Sequence, residues 1–287
     1  MSLPPPPERN GVQQQHRRRH ESFAEFFERW LTQQERDLQD LLQAAAAARE
    51  ASSREEEEEE EVEGEDEARL GPLLSRVVSH YESYYRDKSA SARRDVLPMF
   101  SPDWTSSTEN LFLWVGGWRP SMAFHLLYSK SGLQLESSVS GLLRGLHCGG
   151  GGDLSGLSHH QLRSIDQLQG RTILLEKEIS EQEAKVQETL ADAQMVELAA
   201  RAARPAAADE AEAVEREMRG KREGMEKVLE RADRLRLDTL KALVGLLRPM
   251  QAAHFMIAAA ELHLTVHDFG KRKDAAAAAE ADSPSLA

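Results

Sequence analysis

Two histidines four positions apart, His263 and His267, are the residues of this sequence best spaced for chemistry. On a helix that spacing puts both imidazoles on one face, where they could hold one metal or a haem iron. A third, His254, lies nine residues earlier on a nearby face. Packed or surface histidines are the simpler reading, because such pairs also arise by chance. The other candidates are weaker. His147-Cys148 sets a thiol beside an imidazole, but adjacent side chains point apart and the glycines that follow imply exposure. Asp268-Phe269-Gly270 spells the metal-binding triplet of protein kinases without a glycine-rich strand pair or a His-Arg-Asp loop. It reads as a helix C-terminus with a glycine cap. Asn10 and Arg18 have the spacing of a leucine-zipper basic region, but Gly11, the prolines before it and the missing leucine heptads argue against a DNA-reading helix. No carboxylate dyad, activated serine or zinc-spaced cysteine set stands out. The expected protein is not an enzyme.

Helices must position these residues. Ala, Leu, Glu, Gln and Arg are abundant while aromatics make up 6% of the 287 residues, a composition suited to long helices. The net charge of −13 is uneven. Eleven acidic residues fall between Glu55 and Glu67, and the rest of the chain holds 36 bases against 38 acids. Acidity therefore describes one insert, not the folded surface. A single cysteine, Cys148, permits no internal disulfide and fits a reducing compartment. No apolar run is long enough for a membrane span, and the proline-rich start lacks the apolar core of a signal peptide. The expected location is the nucleus, the cytoplasm or both.

The pattern divides the chain into a disordered tail over 1–19, a helical domain over 20–273 and a second disordered tail over 274–287. An acidic loop is expected over 51–69 and a glycine-rich tether over 148–156. Phe23, Phe26, Phe27, Trp30, Leu31, Leu38, Leu41 and Leu42 recur at three and four residues from Glu21 onward, the mark of an amphipathic helix. A second helix follows Gly71-Pro72, with Leu73, Leu74, Val77, Val78, Tyr81, Tyr84 and Tyr85 inward. Leu133 to Leu146 form another. Ser158 and Gln161 make a capping box that opens a long helix to about Ala203. Leu168, Thr172, Leu175, Ile179, Gln182, Val186, Thr189, Ala193 and Val196 supply its heptad seam. Pro205 closes it. A return helix carries Val228, Ala232, Leu235, Thr239, Ala242 and Leu246, and a last helix runs from Met250 to Phe269 and stops at Gly270. The fold class is all-α: a multi-helix bundle with a long antiparallel helical hairpin.

Between these elements lies ENLFLWVGGWRPSMAFHLL, Glu109 to Leu127. Leu111, Phe112, Trp114 and Val115 suit a buried helix. Gly116 or Gly117 supplies a left-handed end, and Pro120 opens the next helix. A phosphate cradle needs a preceding strand and spaced glycines, so a helix–corner–helix is the expectation.

Taken together, Phe23-x2-Phe26-x3-Trp30, HYESYYRDK (His80 to Lys88), the stretch from Trp104 through Gly116, Gly117, Trp118, Arg119 and Pro120, and the late segment from Ala232 to Asp274 resemble the plant delay-of-germination (DOG, seed dormancy control) domain over about residues 20–273. The same domain ends the TGA-type leucine-zipper transcription factors. Lacking a basic region and zipper, this chain looks like the stand-alone branch. The resemblance implies regulation of transcription, seed dormancy or abscisic-acid-linked development through protein contacts, with a type 2C protein phosphatase or a transcription factor as partner. DNA would be met at most through such a partner, a sequence-specific DNA-binding role beside a leucine-zipper protein being the alternative. The family's link to haem would fall on His263 and His267. The resemblance also gives Trp104, Trp114 and Trp118 core and corner packing, lets Arg119 bond exposed helix carbonyls, and suggests a groove there for an apolar or amphiphilic ligand. Contact surfaces are expected on the hairpin around Gln194 to Glu223 and on the acidic loop.

Overall fold

The computed structural model describes residues 22–52, 59–143, 154–203 and 208–281. The sequence-predicted tail over 1–19, Cys148 and Gly149 to Gly152 lie outside them. Among the described residues the chain is helical, and its only β-type pairing is an isolated bridge between Trp114 and Gly117.

Helix α1, Phe23–Ser52, starts where Ser22 and Glu25 exchange hydrogen bonds in a capping box. It buries Phe23, Phe27, Leu31, Leu38, Leu41, Ala45 and Ala48. Helix α2, Glu59–Ala92, returns beside it, and Leu70, Leu74 and Val77 meet the α1 stripe. Of the expected acidic loop over 51–69, residues 53–58 lie outside the described residues and the rest is helical. From Glu59 onward the acidic run is helical, and Pro72 lies inside the helix rather than before it. Glutamate is a good helix former, and acidic side chains are favoured in the first turns of a helix by its dipole.

Two short helices, α3 (Leu97–Phe100) and α4 (Ser107–Asn110), lead into the corner. Helix α5 then runs unbroken over Met122–Leu143. Helix α6, His159–Glu188, begins at the expected Ser158–Gln161 capping box. The long seam helix does not continue to Ala203. It stops at Glu188, makes a 3-10 turn over Thr189–Ala191 and restarts as α7, Ala193–Ala202, with Asp192 as N-cap. Restarting shifts the phase of the apolar face. Leu198 is buried, whereas the seam residue Val196 is 59% exposed.

Helix α8, Ala208–Leu246, lies antiparallel to α6 and α7. Gln161 reaches the Leu246 carbonyl, Arg231 pairs with Glu178 and Gln194 meets Glu217. Helix α9, Pro249–Ala281, opens on Pro249, a residue whose fixed φ suits the first helical turn. Its first half is buried on every side and sets Ala252, Ala253, Phe255, Met256 and Ile257 at the centre of the main core. Neither Gly270 nor residue 274 ends this helix, which corrects both the expected glycine cap and the expected tail from 274. Gly270 is needed for a close approach: a Cβ there would lie 2.0 Å from Ser106 Oγ. A second, aromatic core gathers Phe23, Phe27, Met99 and Trp104, and a third joins Val115, Ile179, Val228, Ala232 and Leu235.

Candidate functional site

The corner after α4 is a reverse turn rather than a helix end. Trp114 and Gly117 exchange backbone hydrogen bonds at 2.7 and 3.2 Å. The residues between them, Val115 and Gly116, have φ of 45° and 65°. Positive φ at both central positions is the signature of a type I′ turn. Glycine adopts it freely, while a β-branched residue there costs about 1–2 kcal/mol. The expected buried helix over Leu111 to Val115 is absent, since the chain turns straight after Asn110. Leu111 and Phe112 are 77% and 62% exposed, and Val115 alone of that group is buried.

Arg236 of α8 holds the strained turn in place. It is fully buried. Its Nε donates to the Trp118 carbonyl at 2.6 Å, and its Nη2 donates to the carbonyls of Trp114 and of Val115, the latter at 2.9 Å. Its Nη1 donates to Asp233 one turn earlier. Lys88 of α2 completes the set, donating to the Gly116 carbonyl at 2.7 Å and to Asp233 at 2.9 Å. Every carbonyl from Trp114 to Trp118 thus has a donor, as buried backbone requires. Burial lowers the Lys88 ammonium to about pH 8, with Asp233 opposing that shift. A Cβ on Gly116 would lie 2.6 Å from the Met99 carbonyl, and one on Gly117 would lie 2.9 Å from the Arg236 guanidinium carbon. Both glycines are therefore fixed by close approach.

The remaining motif residues frame this centre. Trp118 donates to the Tyr85 hydroxyl at 2.8 Å and Trp114 to Ser180 at 2.9 Å. Pro120 is buried at the mouth of α5. Trp104 packs edge-on against Phe23 at 5.0 Å, and Trp30 lies 4.8 Å from Tyr84. Arg119 does not bond helix carbonyls as expected. Its Nε donates to Glu176 of α6 at 2.8 Å, and the same buried carboxylate accepts from the Ser121 N–H. Carbonyl binding belongs instead to Arg236, which sequence reasoning passed over. The signal was there: Arg236 falls four residues after Ala232 and three before Thr239, on the apolar stripe of α8. Charge on a buried stripe signals a partner.

His263 and His267 do share a face of α9. They point to α1 and α4, with ring centroids 6.4 Å apart. His263 Nδ1 lies 2.7 Å from Gln34 Oε1, and His267 Nδ1 lies 2.9 and 3.1 Å from the Glu109 oxygens. Burial alone would raise the Glu109 pKa, but hydrogen bonds from Ser106 and His267 hold it below the usual carboxylate range. Burial pulls His263 down to about 4, with Glu109 opposing and His267 adding to the fall. His254 stands apart and contacts Arg49. This arrangement does not fit a haem. Phe27 and Trp30 pack against the rings, and the nearby hollow lined by Trp30, Gln34, Tyr81 and Met256 encloses about 10 Å³, room for one water. No group of three or more histidine, cysteine or acidic residues able to hold a metal occurs among the described residues.

Comparison with known proteins places this architecture. Residues 37–129, which run from α1 through the corner into α5, match the family described as seed dormancy control. Protein DOG1-like 3 of Arabidopsis thaliana is 32% identical over 86% of this chain and 83% of its own length. The chain belongs to the seed dormancy control family. Protein RESPONSE TO ABA AND SALT 1 of Arabidopsis thaliana is 31% identical over 68% of this chain and 77% of its own length. Transcription factor TGA6 of Arabidopsis thaliana is 26% identical over 85% of this chain, which spans 60% of that factor. No helix among the described residues is long and apolar enough to cross a membrane.

Proposed function

We propose that this protein is a non-enzymatic regulator in seed dormancy or abscisic-acid-linked development, working in the nucleus, the cytoplasm or both by binding other proteins. The observation that carries this reading is how the polar residues divide. Of the buried ones, Arg236, Asp233, Lys88 and Glu176 are bonded to the protein's own backbone and side chains. Exposed charges run along α7 and the first half of α8, where Glu212, Glu215, Arg216, Arg219 and Glu223 face solvent. A surface of mixed charge on a helix pair suits protein recognition, in which charge sets partner choice and on-rate. A type 2C protein phosphatase or a leucine-zipper transcription factor of the TGA type is the partner class that the family suggests.

Affinity capture with the full chain from abscisic-acid-treated seed tissue tests the proposal. A reproducible phosphatase or transcription-factor partner, lost when Glu212, Arg216 and Arg219 are charge-reversed together, is the expected result. Turnover of a substrate by the purified chain would overturn it. A role at DNA is read in the same experiment. The chain alone should not shift a TGA-type site, and a shift by the chain alone with steep salt dependence would make it a DNA-binding factor in its own right.

A further inference from the structure

The seam between α6–α7 and α8 changes character at one level. On one side the helix is interrupted, and Asp192 is extended with φ −69° and ψ 164°. The Asp192 carboxylate caps α7 by accepting from the Met195 N–H at 2.8 Å. Opposite, Lys221 of α8 donates to the Thr189 carbonyl at 2.7 Å, to Glu217 at 3.1 Å and to Asp192 at 3.2 Å. Its side chain is only 11% exposed. Two glycines flank this lysine on α8. A Cβ on Gly224 would press on a Val186 methyl at 3.2 Å, so close packing accounts for that one. Gly220 has nothing within 4 Å of where a Cβ would stand, and no packing demand accounts for it. A glycine inside a helix weakens it relative to alanine. An interrupted helix and a glycine-weakened helix therefore lie side by side, with Lys221 bonded at the break.

We propose that residues 189–192 and Gly220 form a hinge latched by Lys221, about which α7 and residues 208–219 of α8 move relative to α6. The three-and-four spacing of apolar positions runs through Gln182, Val186, Thr189, Ala193 and Val196 without a gap, so the sequence also supports an unbroken helix. In the latched form the Thr189 carbonyl accepts from Lys221. In the straight form it accepts from the backbone N–H of Ala193, the ordinary i to i+4 bond. Both arrangements satisfy the carbonyl, so neither leaves that acceptor unpaired. The hinge is independent of whether these helices meet a partner.

Hydrogen exchange on the full chain, resolved by peptide, tests this. Lys221→Met should speed exchange of the amides at 190–196 and 217–222 by about tenfold or more while those at 250–258 stay unchanged. Gly220→Ala should slow exchange on both sides of the seam, at 190–196 as well as around 220. If Lys221→Met leaves 190–196 unaltered, or if Gly220→Ala slows only the amides of α8, there is no hinge and the two features are separate local effects. The alanine variant keeps the test open even if the methionine variant unfolds.

Discussion

The turn at Trp114–Trp118 and the far end of the α7–α8 pair are both built on charge, yet they use it oppositely. At the turn, Arg236, Lys88 and Asp233 are removed from water and every bond they make ends on the protein itself. A buried ion group of this kind adds little net stability, but breaking it is expensive because a lone buried charge remains. On the far helices, pairs such as Glu212–Arg216 are 81% and 71% exposed, where a pair is worth a few tenths of a kcal/mol. The contrast teaches that burial, and not residue type, decides which charges set the architecture and which remain free to meet another molecule.

Substitutions sharpen the contrast in order of effect. Arg236→Met leaves the carbonyls of Trp114, Val115 and Trp118 without this donor and should cost about 4 kcal/mol in denaturant unfolding. A loss below about 1 kcal/mol would break the comparison at its stronger end. Gly270→Ala sets a methyl against Ser106, which caps α4 and bonds Glu109. A loss of about 2–3 kcal/mol is expected. Helix α4 should be displaced and the hydrogen bond between His267 and Glu109 broken, a change visible in the imidazole resonances. His263 supplies a pH signature. Its folded pKa of about 4 lies below the ordinary value of 6.5, so the unfolded chain takes up the proton first. Stability should be full above pH 6.5 and fall by about 1–2 kcal/mol as pH drops toward 4, after discounting for the ring's partial exposure. His263→Gln should flatten that slope, and an unchanged slope would place the titration elsewhere. At the weak end, Arg216→Ala should change unfolding by less than about 0.5 kcal/mol.

The helical class, the capped start of α6 and the apolar stripes of α1 and α8 were legible in the sequence because their periodicity is local. The bond partners of the corner were not. Arg236 lies 118 residues from the Trp118 carbonyl that it holds, and no spacing rule pairs residues so far apart. The break at Thr189 was hidden for another reason. The heptad pattern continues through it, and the deciding bond, Lys221 to the Thr189 carbonyl, comes from another helix. Gly270 read as a helix stop because glycine usually ends helices. The close approach of Ser106, from a segment more than 160 residues earlier, gives it a different purpose. His263 and His267 were placed correctly on one face, but their partners Gln34 and Glu109 belong to other elements.

If the buried charges build the protein and the exposed charges of α7 and α8 meet partners, as proposed, the two roles should separate on substitution. One paired measurement tests this most directly: melting temperature and partner capture, read together on full-length Glu212→Lys/Arg216→Glu/Arg219→Glu. An unchanged melting temperature and no captured partner are expected. A variant that keeps both its stability and every partner would contradict the proposal.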